Sequence, residues 1–309
     1  MRIVFMGTPD FAVPTLQALL DGPHQVAAVV CQPDRPKGRG RKLAKPPVKV
    51  LAEGAGLSIL QPQTIRTPEF RDELASLHPD LLVVVAYGHI LPGSLLDLPP
   101  LGALNVHGSL LPKYRGAAPI QWAIINGERQ TGLTLMQMNE GMDTGDILLQ
   151  ESIPVSDEDT AGSVFQRLAA LGGAMINDAL NRLAAGELRP VPQDDSRATV
   201  APMLAKETGR LNWNAPAATL HNLIRGLDPW PSAFTFLKET RFRLFTSAHV
   251  REISAQPPGT IISVDNRGLL ISTGEGSLLV REIQAAGRRR MTIADCLNGL
   301  TLRPGDRFS

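Results

Sequence analysis

As far as about residue 185, short apolar runs of β-forming residues alternate with longer amphipathic stretches. This alternation is the pattern of a parallel sheet whose strands are joined by crossover helices. Strands are expected at 2–6, 26–31, 57–60, 81–86, 103–107, 133–138 and 147–153. Several of these are apolar throughout, as strands covered on both faces should be. Between them, residues 11–20, 48–55, 69–77, 119–126 and 163–183 carry helical spacing. The last aligns Val164, Leu168, Leu171, Met175 and Ile176 on one face, an ordinary core-facing stripe. Residues 1–187 are therefore expected to form an α/β domain with a Rossmann-like, doubly wound, mostly parallel sheet.

The periodicity stops across 186–203, where Pro190, Pro192, Asp194, Asp195 and Ser196 give a polar, proline-punctuated stretch. A linker is expected at 188–205. Beyond it, a short helix at 217–225 precedes Pro229-Trp230-Pro231 and then strands at 233–237, 242–247, 260–264, 269–272 and 277–283. Asn266-Arg267-Gly268 and Gly274-Glu275-Gly276 turn between them. A small OB-like β-barrel is the expected packing of residues 206–309.

With 309 residues and 43% apolar content, two moderate cores fit the chain. A net charge of +1 gives no global pull toward nucleic acid or membrane, so any such preference must reside in local clusters. Cys31 and Cys296 stand far apart without metal-ligand spacing, which argues against a disulfide framework or a zinc site. The chain enters strand-like sequence straight after Met1-Arg2 and contains no run of membrane-spanning length, so a cytoplasmic protein is expected.

Gly7-Thr8-Pro9-Asp10 follows a strand and precedes a helix, but Pro9, Asp10 and Phe11 stand where a dinucleotide fingerprint needs its later glycines. A strand-to-helix turn at the rim of a site is the reading that remains. More informative is Asn105-Val106-His107-Gly108-Ser109-Leu110-Leu111-Pro112-Lys113-Tyr114-Arg115-Gly116, at the carboxyl end of a buried strand, where open α/β sheets bind ligands. Strand alternation puts Asn105 and His107 on one side. An amide donor beside an imidazole suits acyl transfer, since one stabilises oxyanion character and the other stabilises charge or moves a proton. Taken alone, the same pair also fits a structural role, its polar groups satisfied by backbone.

Asn139-Glu140-Gly141-Met142-Asp143-Thr144-Gly145-Asp146 forms an acidic loop between two strands. Its flanking glycines allow Asp143 to turn back toward the sheet crevice and orient an imidazole, whereas a hairpin with solvated acids is the plainer alternative. Glu140, Asp143 and Asp146 are oxygen ligands without phosphate-loop partners, and no metal is expected. The run from Asp34 to Lys45 carries six basic residues against one acid; a solvated surface loop is the plainer reading, but its glycines leave Lys37, Arg39, Arg41 and Lys42 free to meet phosphate oxygens. Arg288-Arg289-Arg290 form a second cluster in the smaller domain. Two separated patches suit an extended polyanion such as folded RNA.

Asn-Val-His-Gly-Ser-Leu-Leu-Pro-Lys-Tyr-Arg-Gly at 105–116, followed by Gly-Met-Asp-Thr-Gly at 141–145, resembles the folate-dependent formyltransferases. The resemblance to tRNA-modifying members extends through Met6-Gly7-Thr8-Pro9, the Gly-Arg-Gly-Arg-Lys loop at 38–42, Asp228-Pro229-Trp230-Pro231 and Leu297-Asn298-Gly299. Gly226 and Ser232 depart from it outside the chemical motifs. It implies transfer of a formyl group from 10-formyltetrahydrofolate, a co-substrate, to the α-amine of methionine esterified to initiator tRNA. Asn105 and His107 would polarise the formyl oxygen, and Asp143 would position His107 and assist proton movement. Folate would lie beside Ser109, Leu110, Leu111 and Pro112, with its pterin against backbone near Ile90 and Leu91. Lys37, Arg39, Arg41 and Lys42 would meet the acceptor stem, and Arg288, Arg289 and Arg290 phosphates farther along the tRNA. A monomer acting without a membrane is expected. Sugar-nucleotide and glycinamide ribonucleotide formyltransferases and 10-formyltetrahydrofolate hydrolase share the catalytic motif and differ in acceptor. A non-catalytic RNA-binding module would account for the basic patches while leaving Asn105, His107 and Asp143 without a purpose.

Overall fold

The computed structural model describes residues 1–37, 42–251, 254–296 and 302–309. Along the chain the elements are β1 (Arg2–Gly7), α1 (Val13–Asp21), β2 (Gln25–Val30), β3 (Arg35–Lys37), β4 (Lys42–Ala44), α2 (Pro47–Gly54), β5 (Ile59–Leu60), α3 (Pro68–Ser76), β6 (Leu81–Val85) and α4 (Gly93–Leu96). Next come β7 (Ala103–His107), β8 (Arg115–Gly116), α5 (Pro119–Ile125), β9 (Gln130–Gln137), β10 (Ile147–Pro154), α6 (Ala161–Ala184), β11 (Val200–Ala201) and α7 (Ala217–Gly226). The last are β12 (Phe234–Leu237), β13 (Thr240–Val250), β14 (Ile261–Asp265), β15 (Gly268–Ser272), β16 (Ser277–Ala285), β17 (Met291–Thr292) and α8 (Ile293–Cys296).

The chain divides into two compact units. One comprises Met1–Gly116, Thr131–Ile153 and Phe165–Val200, and the other Ala117–Gln130, Pro154–Val164 and Ala201–Ser309. The larger unit holds a seven-stranded sheet in the order β10-β9-β7-β6-β1-β2-β5. Strands β7, β6, β1, β2 and β5 run parallel, and β9 joins β7 antiparallel. The chain winds outward from β1 through β2 to β5, then returns to the other side of β1 at β6, which is the doubly wound topology that the apolar runs predict. Ile3, Val4, Phe5 and Met6 of β1 and Leu81, Leu82 and Val83 of β6 are fully buried. At the end of β1, a Cβ added to Gly7 would come within 2.8 Å of the Ala12 Cβ and 2.9 Å of the Val85 carbonyl oxygen. The residue is therefore glycine for packing.

In the smaller unit, β12-β13-β16-β15-β14 form an antiparallel sheet, with β17 added to β16. Residues 305–309 join its two edges. On one side Gly305 N donates to Ile261 O and Phe308 N donates to Gly259 O, both at 2.9 Å. On the other, Ser309 and Phe236 exchange N–H···O bonds of 2.9 and 3.1 Å. This final segment closes the sheet into the expected barrel, and closure removes edge strands that would otherwise pair with other chains. Phe308 is buried in the core of this unit, stacked on Trp213 with ring centroids 5.9 Å apart. The Trp213 indole N–H donates to Thr235 Oγ1 at 2.9 Å, so its polar atom is satisfied.

Cys31 and Cys296 are buried free thiols, and burial pushes Cys31 up to about 11. Among the described residues no helix is long and apolar enough to cross a membrane. Phe308→Ala should destabilise the barrel by about 3–5 kcal/mol through the cavity it opens. Chemical denaturation checks this, and an unchanged midpoint would contradict the closing role of the final segment.

Candidate active site

Strand β7 is flanked on both edges, by β6 and β9, which fixes its register. Asn105 lies opposite Val84 on one side and Met136 on the other, while His107 lies opposite Thr134. The intervening Val106 is buried on the opposite face, so Asn105 and His107 share a side as strand alternation requires.

The loop after β9 brings Asp143 to this side. Its Oδ2 accepts the Gly116 N–H at 2.8 Å, a firm hydrogen bond. Its Oδ1 lies 3.4 Å from Asn105 Nδ2 and 3.5 Å from His107 Nδ1, both long contacts. One carboxylate oxygen is thus anchored, and the other is loosely shared by the two groups on β7. Asp143 adopts φ +56°, in the left-handed region, which costs about 1–2 kcal/mol for a residue with a Cβ. Gly145 cannot be larger, because a Cβ there would collide with the Gln137 carbonyl oxygen.

The second ring nitrogen of His107 settles which of the two carries the proton. Nε2 lies 3.0 Å from the Tyr114 carbonyl oxygen, which can only accept, so Nε2 bears the hydrogen. In the neutral ring Nδ1 then presents a lone pair toward Asp143 Oδ1. A proton arriving at Nδ1 would fall between imidazole and carboxylate and turn a lone-pair repulsion into an attraction. His107 is only 6% exposed, so water screens this pairing weakly.

The expected folate segment is rigid. Thr134 Oγ1 donates to Ser109 O at 2.7 Å and accepts from Leu111 N at 3.0 Å. Gln150 Nε2 donates to Leu111 O and to Thr134 Oγ1, both at 2.9 Å. The Ser109 hydroxyl is buried and donates to Lys113 O at 2.6 Å, so it is committed to the fold. Leu111 is buried, Leu110 and Pro112 are half-buried, and a cis peptide bond joins Leu111 to Pro112. Ile90 is half exposed, whereas Leu91 lies within the apolar core beside β6. Glu140 ties this region to the acidic loop by accepting the Gly93 N–H at 3.1 Å.

Of the basic residues, Arg39 and Arg41 lie outside the described residues. Lys37 ends β3 and Lys42 begins β4, a short antiparallel hairpin that brackets them. In the smaller unit Arg288, Arg289 and Arg290 are all exposed, and Arg290 is also paired within the unit. Its guanidinium reaches Asp228 at 3.2 Å and Glu282 at 2.6 Å and lies 4.0 Å over the Phe245 ring. Burial pushes the Asp228 carboxyl above its usual range despite that neighbour. The Thr246 hydroxyl and then Arg290 hold Glu282 below its own.

Three contributors lie outside the expected set: the Tyr114 carbonyl, the Gly116 N–H and Gln193, whose side-chain amide donates to the carbonyl oxygens of Asp143 and Gly145. The first two act through backbone, which side-chain identity does not announce. Gln193 sits in the proline-punctuated stretch, where no periodicity marks it.

The formyl transferase family model matches residues 1–180, and the model of the formyl transferase C-terminal domain matches residues 203–301. The chain belongs to the formyl transferase family. Among relatives of this formyl transferase is the methionyl-tRNA formyltransferase of Desulfotalea psychrophila, 56% identical over 97% of this chain and 93% of the relative. The methionyl-tRNA formyltransferase of Acetivibrio thermocellus is 48% identical over 99% of both chains. The solved structure of WlaRD, a sugar 3N-formyl transferase crystallised with 5-N-formyl-THF, covers 94% of this chain and 99% of its own at TM-score 0.70. At 17% identity it speaks for the formyl transferase fold alone.

Gly145→Ala should lower stability by about 1–3 kcal/mol, since its methyl meets backbone that must shift. Calorimetry or denaturant titration measures this, and an unaltered stability would mean that the acidic loop is looser than its geometry implies.

Proposed function

We propose that this formyl transferase moves the formyl group of 10-formyltetrahydrofolate to the α-amino group of methionyl initiator tRNA. The observation that carries the reading is the meeting of Asp143 with Asn105 and His107, in a chain whose full-length relatives bear the methionyl-tRNA name. The amine attacks the formyl carbon, forming a C–N bond while the formyl oxygen gains negative charge. Asn105 Nδ2, held by only a long contact, donates to that oxygen. The attacking nitrogen loses a proton to His107 Nδ1, where Asp143 Oδ1 stabilises the resulting charge. The bond to the folate nitrogen then breaks, and that nitrogen takes the proton from His107 Nδ1 as it leaves, which returns the imidazole to its neutral form.

Residues 1–187 supply this chemistry in the proposal, with folate beside residues 109–112 and near Ile90 and Leu91. Residues 188–205 link it to the tRNA-binding part, residues 206–309. Lys37, Arg39, Arg41 and Lys42 meet the acceptor stem, and Arg288 and Arg289 meet phosphates, with Arg290 holding the barrel surface that presents them. The protein works as a cytoplasmic monomer without a metal ion.

Labelled 10-formyltetrahydrofolate supplied with methionyl initiator tRNA, elongator tRNA or an amino-sugar nucleotide tests the acceptor. Label is expected on the initiator alone, and label on the sugar would replace this reading with sugar modification. Asn105→Ala should lower kcat about 10²- to 10³-fold, as loss of one oxyanion donor does, with tRNA affinity unchanged. An undiminished kcat would remove Asn105 from the chemistry.

A further inference from the structure

Asp143 is held at its carboxylate by Gly116, but its backbone stands in a sparsely populated conformation and needs a separate restraint. Gln193 provides one. Its Nε2 donates to the carbonyl oxygens of Asp143, at 2.9 Å, and Gly145, at 2.7 Å. A single amide thereby fixes the carbonyls on either side of Thr144, and with them the turn that aims Asp143 at His107.

The other end of the same side chain is also occupied. Gln193 Oε1 accepts from Arg115 Nε at 3.0 Å and from Arg115 NH2 at 2.7 Å. Arg115 in turn pairs with Asp195 at 2.7 Å, and its own N–H donates to Thr199 O at 2.9 Å. Two residues before Gln193, Val191 and Ile147 exchange backbone hydrogen bonds of 2.8 and 2.9 Å. Gln193 is thus placed by its own backbone against the end of the acidic loop, and its amide bridges that loop to Arg115, the neighbour of Gly116. Both anchors of Asp143, its turn and its carboxylate partner, meet at one side chain.

We propose that Gln193 is a positioning residue for formyl transfer, clamping the 143–145 turn to the Arg115–Gly116 segment so that the Asp143 carboxylate faces His107 and Asn105. It touches no reacting atom. The kinetic part rests on the proposed formyl-transfer reading, while the clamp itself is a property of the loop.

Two variants separate the halves of the clamp. Gln193→Met keeps the length and removes donor and acceptor, whereas Gln193→Glu keeps the acceptor for Arg115 and sets a carboxylate against the two carbonyls. Both should lower kcat for methionyl-tRNA about 10- to 100-fold with KM little changed, the scale expected when a reacting group is misplaced by about an ångström. Combined with Asp143→Asn, Gln193→Met should cost nothing further, because residues acting through one another are not additive. Losses that multiply in the double variant, or a Gln193→Glu enzyme as fast as the parent, would overturn the proposal. Hydrogen exchange of the amides of residues 143–146, read in the full chain without substrate, should quicken about tenfold or more in both variants as the turn opens locally. Unchanged exchange would overturn the clamp whatever the kinetics. Quickened exchange in a protein that formylates no tRNA would instead leave the clamp standing and remove the formyl-transfer reading.

Discussion

The site depends on how one carboxylate is held. Asp143 is pinned through Oδ2 by a 2.8 Å hydrogen bond from backbone, while Oδ1 faces Asn105 and His107 at 3.4 and 3.5 Å. A carboxylate bonded firmly at both oxygens would compete with a substrate for the amide and the imidazole. One held at neither would swing away, because its backbone sits in a strained conformation. Firm at one oxygen and loose at the other, it leaves both β7 groups available while remaining ready to receive a cation. The Tyr114 carbonyl completes the device, since by taking the Nε2 hydrogen it leaves Nδ1 as the nitrogen able to accept a proton.

The fold makes this possible by securing the segments that carry the site. Strand β7 is paired on both edges, and the loop after it is secured by Thr134 and Gln150. The acidic loop is tied at Glu140 and again at Gln193. Such preorganisation places polar groups without reorganisation at the moment of reaction, which is where electrostatic stabilisation becomes effective.

Much of this was legible in the sequence, for local reasons. Strands β1, β6 and β7 announce themselves by continuous apolar runs, and alternation alone puts Asn105 and His107 on one side. The glycines at 141 and 145 mark a tight turn, although that Asp143 reaches Asn105 across 38 residues is a long-range fact that the spacing permits without dictating. Other features have no local signal. Residues 305–309 close the barrel by pairing with segments distant in sequence, so no period betrays them. Gln193 lies in a segment that reads as linker, and its importance comes from the carbonyls it meets. Arg290 reads as one of three equivalent cations, yet the fold spends it on Asp228 and Glu282, partners that lie 62 and 8 residues away.

The claim that these three side chains surround the transferred group is tested most directly by a crystal structure with 5-formyltetrahydrofolate, a stable analogue of the donor. The account predicts the formyl oxygen within hydrogen-bonding distance of Asn105 Nδ2, about 3 Å, with His107 Nδ1 on the same side and Asp143 behind it. A formyl group bound away from Asn105 and His107, with Asp143 still turned toward them, would contradict it.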